Sequence, residues 1–125
     1  FSNLKLTSNA DETITATVTM INQEAETVDL LANGQGSVEA IFNAIDKFFN
    51  QTVRLDTFNI DAVTEGIDAQ AAVNVTVENV DTDTIFNATG IDFDVLKAAA
   101  IAYINANIMV QKENEGQLAR LSEKD

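Results

Sequence analysis

Cysteine and histidine are both absent from this chain. Without cysteine there is no disulfide framework and no thiolate chemistry, and the redox compartment is left open. Without histidine the commonest general base and the commonest transition-metal ligand are missing together. Positive charge is scarce: 7 Lys and Arg stand against 20 Asp and Glu, for a formal net charge of −13. That balance repels a phosphate backbone, so no nucleic acid is expected as a partner. No apolar run approaches the ~20 residues of a membrane span, and no basic stretch leads into a short apolar one as in a signal peptide, so no membrane partner is expected either. The first residue is Phe1 rather than Met, and Leu4-Lys-Leu6 alternation begins almost at once, as expected of a piece of a longer protein.

What is present suffices for one packed domain. The chain has 125 residues, 46% of them hydrophobic, which excludes a disordered composition. Residues 1–8 alternate weakly. Thr13 to Met20 is the cleanest strand, with Ile14, Ala16, Val18 and Met20 on one face and threonines on the other. Asn22-Gln-Glu24 predicts a hairpin, and Glu26 to Leu31 a third strand. A helix follows from about Ser37 to Phe49, where Val38, Ile41, Ala44, Ile45 and Phe48 recur at helical spacing.

Val53 to Val63 reads as a strand whose phase slips, so a bulge near Asp56-Thr57 is expected. Glu65 to Asp68 reads as a turn or short loop, Ala69 to Glu78 as a valine-rich strand, and Thr82 to Ala88 as its return. A second helix, about Asp94 to Val110, is apolar almost all round and must be covered on more than one side. One constant offset pairs Gly34 with Gly90, Ala32 with Ala88, Ala44 with Ala100 and Ile45 with Ile101. The fold class expected is therefore α+β: two pseudo-symmetric βββα units, about 1–50 and 51–110, in one domain. Residues 111–125 read as a charged tail, a frayed end or linker remnant.

Chemistry points to the stretch Leu31 to Ile45. Gly34 and Gly36 permit positive φ and close backbone approach, and Ser37 is placed to cap the helix. The unpaired N–H groups of a helix start suit a carboxylate or phosphate. The bland reading, a tight turn and nothing more, stands beside it. Asp61, Asp68, Asp81, Asp83, Asp92 and Asp94 invite an acid/base or metal reading, but turns and helix starts use Asp as a cap, and neither D-x-D run has the rest of a calcium loop. No catalytic residue and no metal ligand is assigned. Recognition of a small zwitterion needs donors for a carboxylate, an acid for an ammonium and an apolar slot. The Gly34–Ser37 turn offers the donors and Asp92 the acid. Ala62 and Ala69 leave room, with Val38, Leu55 and Phe58 as walls. Three sequons, at Asn50, Asn74 and Asn87, would fit a secreted adhesive domain, although chance explains them in a chain so rich in Asn and Thr.

The run Gly34-Gln-Gly36-Ser-Val38 … Ala44-Ile45, then Ala62-Val-Thr64 … Gly66-Ile-Asp68-Ala69, then Gly90-Ile-Asp92-Phe-Asp94 … Ala102-Tyr103-Ile104-Asn105-Ala106 resembles the C-terminal regulatory domain of 2-isopropylmalate synthase. The resemblance covers roughly residues 1–110, and the same domain occurs in citramalate synthase. It implies a non-catalytic, dimerised sensor that binds leucine for feedback inhibition of leucine biosynthesis. The parent enzyme would condense acetyl-CoA with 2-oxoisovalerate on an N-terminal metal-dependent TIM barrel in the cytoplasm. It implies no cofactor within this domain. The effector contacts it carries over are Gly34, Gln35, Gly36, Val38, Leu55, Phe58, Ala62, Ala69, Ile91 and Asp92. Ser37 stands where the family usually has Pro, and Gln35 where it often has Asp or Asn. An isoleucine sensor of citramalate synthase and a ligand-free dimerisation module are the alternatives.

Overall fold

The computed structural model describes residues 1–62 and 69–123, without the side chains of Ala62 and residues 119–123. Strands β1 (Asn3–Ser8), β2 (Ile14–Ile21) and β3 (Thr27–Gly34) lead into helix α1 (Ser37–Phe49); β4 (Val53–Ala62), β5 (Ala71–Asn79) and β6 (Thr84–Asp92) lead into helix α2 (Val95–Glu123). Each trio is a separate antiparallel sheet in sequence order. The architecture is α+β with two βββα units, as the repeat predicts. The loop expected over Glu65–Asp68 lies outside the described residues.

Alternation builds the first sheet. Ala16, Val18 and Met20 of β2 are buried, while the opposite face is knitted by short polar bonds: Thr15 Oγ1 donates to Asn33 Oδ1 and Thr19 Oγ1 to Asp29 Oδ1, each at 2.7 Å. Helix α1 lays Ala40, Ile41, Ala44 and Ile45, all at 0% exposure, onto β2 and β3. In the second sheet the expected phase slip is present as a register shift between Leu55 and Thr57. It returns Phe58 and Ile60 to the face that carries Val73 and Val75 of β5. Helix α2 packs on β5, β6 and α1, as its apolar circumference requires.

The ends of β3, β6 and α2 lie beyond the sequence expectation. Strands β3 and β6 run on to Gly34 and Asp92, because the pairings Ile14↔Gly34 and Ala71↔Asp92 complete their ladders. Nor is the stretch beyond Val110 a frayed end: α2 continues to Glu123. Its docking explains this. Asn79, fully buried, donates through Nδ2 to Glu113 Oε1 at 2.8 Å and Asn114 Oδ1 at 2.9 Å. Among the described residues no helix is long and apolar enough to cross a membrane.

Candidate functional site

The start of α1 differs from the sequence expectation in three ways, each with a steric or hydrogen-bonding cause. Neither Gly34 nor Gly36 takes positive φ. Gly34 is a buried strand residue, and a Cβ on it would lie 2.5 Å from Ala40 N. Its missing side chain makes room for the backbone of α1, not for a ligand. The N-cap is Gly36, extended at φ −138°, with Ser37 already the first helical residue. No side-chain cap hydrogen bond closes this helix start. Gln35 is exposed, and its N–H donates to Glu39 Oε2 at 3.0 Å. A Cβ on Gly36 would meet nothing within 4 Å, so this corner is open.

Helix α2 begins in the opposite manner. Asp94 Oδ1 accepts the N–H of Leu96 at 2.8 Å, and Asp92 Oδ1 accepts that of Asp94 at 2.9 Å. The carboxylate expected to face an ammonium is thus engaged in its own turn. An anion arriving at α2 would also compete with Asp94 for the same donors. Of the two pseudo-equivalent helix starts, only that of α1 is left without a side-chain cap.

Beside that start lies a cavity of about 430 Å³ between α1 and β4, lined by Val38, Glu39, Phe42, Asn43, Asp46, Val53, Arg54, Leu55 and Tyr103. Val38 and Leu55 are thereby brought together as expected walls, with Leu55 39% exposed. Phe58 stands behind them, its ring 6.0 Å from that of Phe42 and edge-on at 67°. Phe42 in turn stacks on Tyr103 at 4.1 Å and 10°. The Tyr103 hydroxyl donates to Asp46 Oδ1 at 2.6 Å. Burial raises the Asp46 carboxyl above its ordinary value, against the opposing effect of the Tyr103 hydroxyl. Burial, and then the Asp46 carboxylate, hold the Tyr103 phenol far above its own. Arg54 turns away, to Glu78 at 2.9 Å and Asp56 at 3.7 Å.

The remaining expected residues gather elsewhere. Ala69 lines a cavity of about 290 Å³ with Ile60, Asp61, Gln70, Ala71, Phe93 and Val95. Ile91, 49% exposed, and Asp92 end β6 next to Phe93. Ala62 ends β4 opposite Ala71. Leu55 and Ala62 lie seven residue steps apart along β4, roughly 23 Å at strand rise, far beyond the length of one amino acid. Within one chain the ten residues therefore form two groups, not one pocket.

Sequence reasoning passed over Glu39, Phe42, Asp46 and Tyr103. Phe42 lies one helical turn beyond Val38, so the α1 stripe carried the signal. Tyr103 and Asp46 gave none, because their meeting depends on how the two helices pack. A larger cavity of about 520 Å³ opens at the other end of α1, among Phe48, Phe49, Ile104 and Ile108. It touches none of the expected residues. Among the described residues no group of three or more acidic, His or Cys side chains is arranged to hold a metal ion.

With this geometry in place, comparison with known proteins is informative. A family model described as the LeuA allosteric (dimerisation) domain matches residues 1–110. The 2-isopropylmalate synthase of Streptococcus gallolyticus is 68% identical over 120 residues, covering 96% of this chain and 23% of that protein. That of Lactococcus lactis subsp. lactis is 55% identical over 111 residues, covering 88% and 22%. That of Listeria monocytogenes is 42% identical over 92 residues, covering 74% and 18%. The chain spans less than a quarter of the length of these curated relatives.

Proposed function

The chain belongs to the LeuA allosteric (dimerisation) domain family, and from that membership we propose that it is the leucine-sensing regulatory part of a 2-isopropylmalate synthase. The observation that carries the reading is the uncapped start of α1 opening beside an apolar cavity. Leucine would place its carboxylate against the first N–H groups of α1, near Gly36, and its side chain between Val38, Phe42 and Leu55. Burying such a side chain contributes roughly 1.5–3 kcal/mol, and an ion at a helix end about 0.3–1 kcal/mol more. Glu39 is the acidic residue in the first turn of α1; one of its oxygens accepts the Gln35 N–H, and the other would face the ammonium.

The second group, Ala62, Ala69, Ile91 and Asp92, can join the same effector only from another chain. A homodimer in which one protomer's α1 corner faces its partner's β4–β6 corner would bring the two groups together. Leucine would then lower the activity of a catalytic N-terminal barrel if it binds the less active arrangement better than the active one. The divalent metal expected of the parent enzyme would belong to that barrel, in the cytoplasm. The name of the relatives favours leucine over isoleucine as effector. Calorimetric titration of the chain with leucine, isoleucine and valine tests the proposal. Saturable heat with leucine, and weaker heat with the other two, is expected; no heat with any of them would leave a ligand-free dimerisation module.

A further inference from the structure

We propose that Tyr103, held in place by Asp46, is the positioning pair that decides which branched side chain the α1–β4 cavity accepts. This rests on the effector reading above and assigns its specificity to residues outside the ten expected contacts. Tyr103 is 3% exposed, yet it is one of the residues that line the cavity. A stacked aromatic pair is free to slide or tilt unless one edge is fixed. Here the edge is fixed: the hydroxyl is bonded to Asp46 Oδ1 at 2.6 Å, a length typical of a charge-assisted bond. The ring face rests on Phe42 at 4.1 Å, and Phe42 in turn meets Phe58 edge-on at 6.0 Å.

Phe42 and Asp46 lie one turn apart on α1, the helix whose start would receive the carboxylate. Grip and floor are therefore built on one rigid element. Val38 sits one turn, about 6 Å, above Phe42. A leucine side chain descending past Val38 brings its terminal fork to the Phe42–Tyr103 floor. A side chain forked at Cβ puts its bulk higher, between Val38 and Leu55. Arg54 does not compete for Asp46, since it is committed to Glu78 and Asp56, and Lys47 is committed to the Leu31 carbonyl. The carboxylate is thus left to Tyr103.

Tyr103 is the only tyrosine, and tryptophan is absent, so intrinsic emission reports on this cavity alone. The test titrates wild type, Tyr103→Phe, Asp46→Ala and Asp46→Asn with leucine and isoleucine by calorimetry, follows Tyr103 emission where the residue remains, and checks folding by circular dichroism. Leucine should change the emission of the wild type. Tyr103→Phe and Asp46→Ala should keep most of the leucine affinity but lower the leucine-over-isoleucine ratio by about tenfold, the low end of the range one misfitted group produces in an apolar pocket. Asp46→Asn keeps an acceptor and should fall between. If wild type binds leucine and the ratio is unchanged in both Tyr103→Phe and Asp46→Ala, the pair does not set specificity and the effector reading survives. If wild type binds neither amino acid, the effector reading itself falls and this inference with it. Should Asp46→Ala not fold, Tyr103→Phe and Asp46→Asn decide the matter by the same ratio.

Discussion

Gly34, Gly36 and Gly90 are glycines for different reasons, and substitution separates them. A Cβ at Gly90 would lie 2.2 Å from Ala98 O and 2.5 Å from Ala102 N, and one at Gly34 would lie 2.5 Å from Ala40 N. These are backbone atoms that cannot swing aside, so Gly34→Ala and Gly90→Ala must push a helix off its sheet. Each is expected to cost roughly 1–3 kcal/mol in urea unfolding, the usual penalty for overpacking. Gly36→Val meets open space and should cost at most about 1 kcal/mol as a poorer N-cap. On the proposed effector site it should nevertheless weaken leucine binding several-fold in calorimetry, since the branched side chain would stand where the carboxylate is proposed to approach. Asp46 and Tyr103 make a paired prediction in pH. The folded state raises the Asp46 carboxyl above its ordinary value of 3.8, so the folded chain holds this proton more firmly than the unfolded one. Its contribution is full below the unfolded value and is lost as pH rises through the higher folded one. Asp46→Asn should therefore gain stability relative to wild type as pH climbs through that window. Tyr103 is raised above its ordinary value of 10.0, so the phenolate band in an ultraviolet titration should stay absent from the folded chain at that pH and appear on unfolding.

At the scale of elements, the helices do more than cover sheets. Lys47 Nζ and Asn43 Nδ2 of α1 donate to the carbonyls of Leu31 and Asn33, and Asn105 Nδ2 of α2 donates to that of Thr89. Each helix thereby occupies acceptors along its own sheet's last strand, where another strand would otherwise pair. The far half of α2 has a comparable task. Its Glu113 and Asn114 accept from buried Asn79, and Thr82 Oγ1 donates to Glu113 Oε1 at 2.7 Å. Ending the chain after residue 110 would strand the Asn79 amide in the interior. That should cost about 1–3 kcal/mol, the penalty for a buried group left without a partner, read as a lower urea midpoint for the shortened chain. This docking was illegible in the sequence because Asn79 and Glu113 belong to distant elements, and a charged run gives no local sign of a buried amide. What was legible had a period: the β2 alternation, the α1 stripe and the phase slip at Asp56. Ladder ends were less so, since Gly34 and Gly90 look like turn residues until their strand partners are known. At the site, Val38 and Leu55 could be read as apolar walls. Phe42 and Tyr103 are buried residues that the sequence pattern did not single out, and that they also line a cavity depends on how α1, α2 and β4 meet.

For the whole molecule, charge and symmetry set opposing demands. The chain carries a formal net charge of −13, and a homodimer would bring two such chains together. Their repulsion is long-ranged at low salt and fades once the Debye length falls to about 10 Å near 0.1 M. An interface built on the apolar faces left open beside β4, where Leu55 is 39% and Ile60 54% exposed, depends little on salt by itself. Raising ionic strength from about 0.01 M to 0.15 M should therefore tighten dimerisation, the reverse of what an interface of complementary charges shows. Leucine supplies the second half of the prediction. If one effector is held by the α1 corner of one protomer and the β4–β6 corner of its partner, binding and association are linked, and each must strengthen the other by the same factor. Sedimentation velocity across a dilution series, with and without saturating leucine at fixed salt, should show the dimer persisting to lower concentration when leucine is present. Gly36→Val should move that shift to several-fold higher leucine concentration. A leucine-binding chain whose dimerisation ignores leucine would instead hold its effector within a single protomer, and the corner of Ala69 and Asp92 would then have no part in the site.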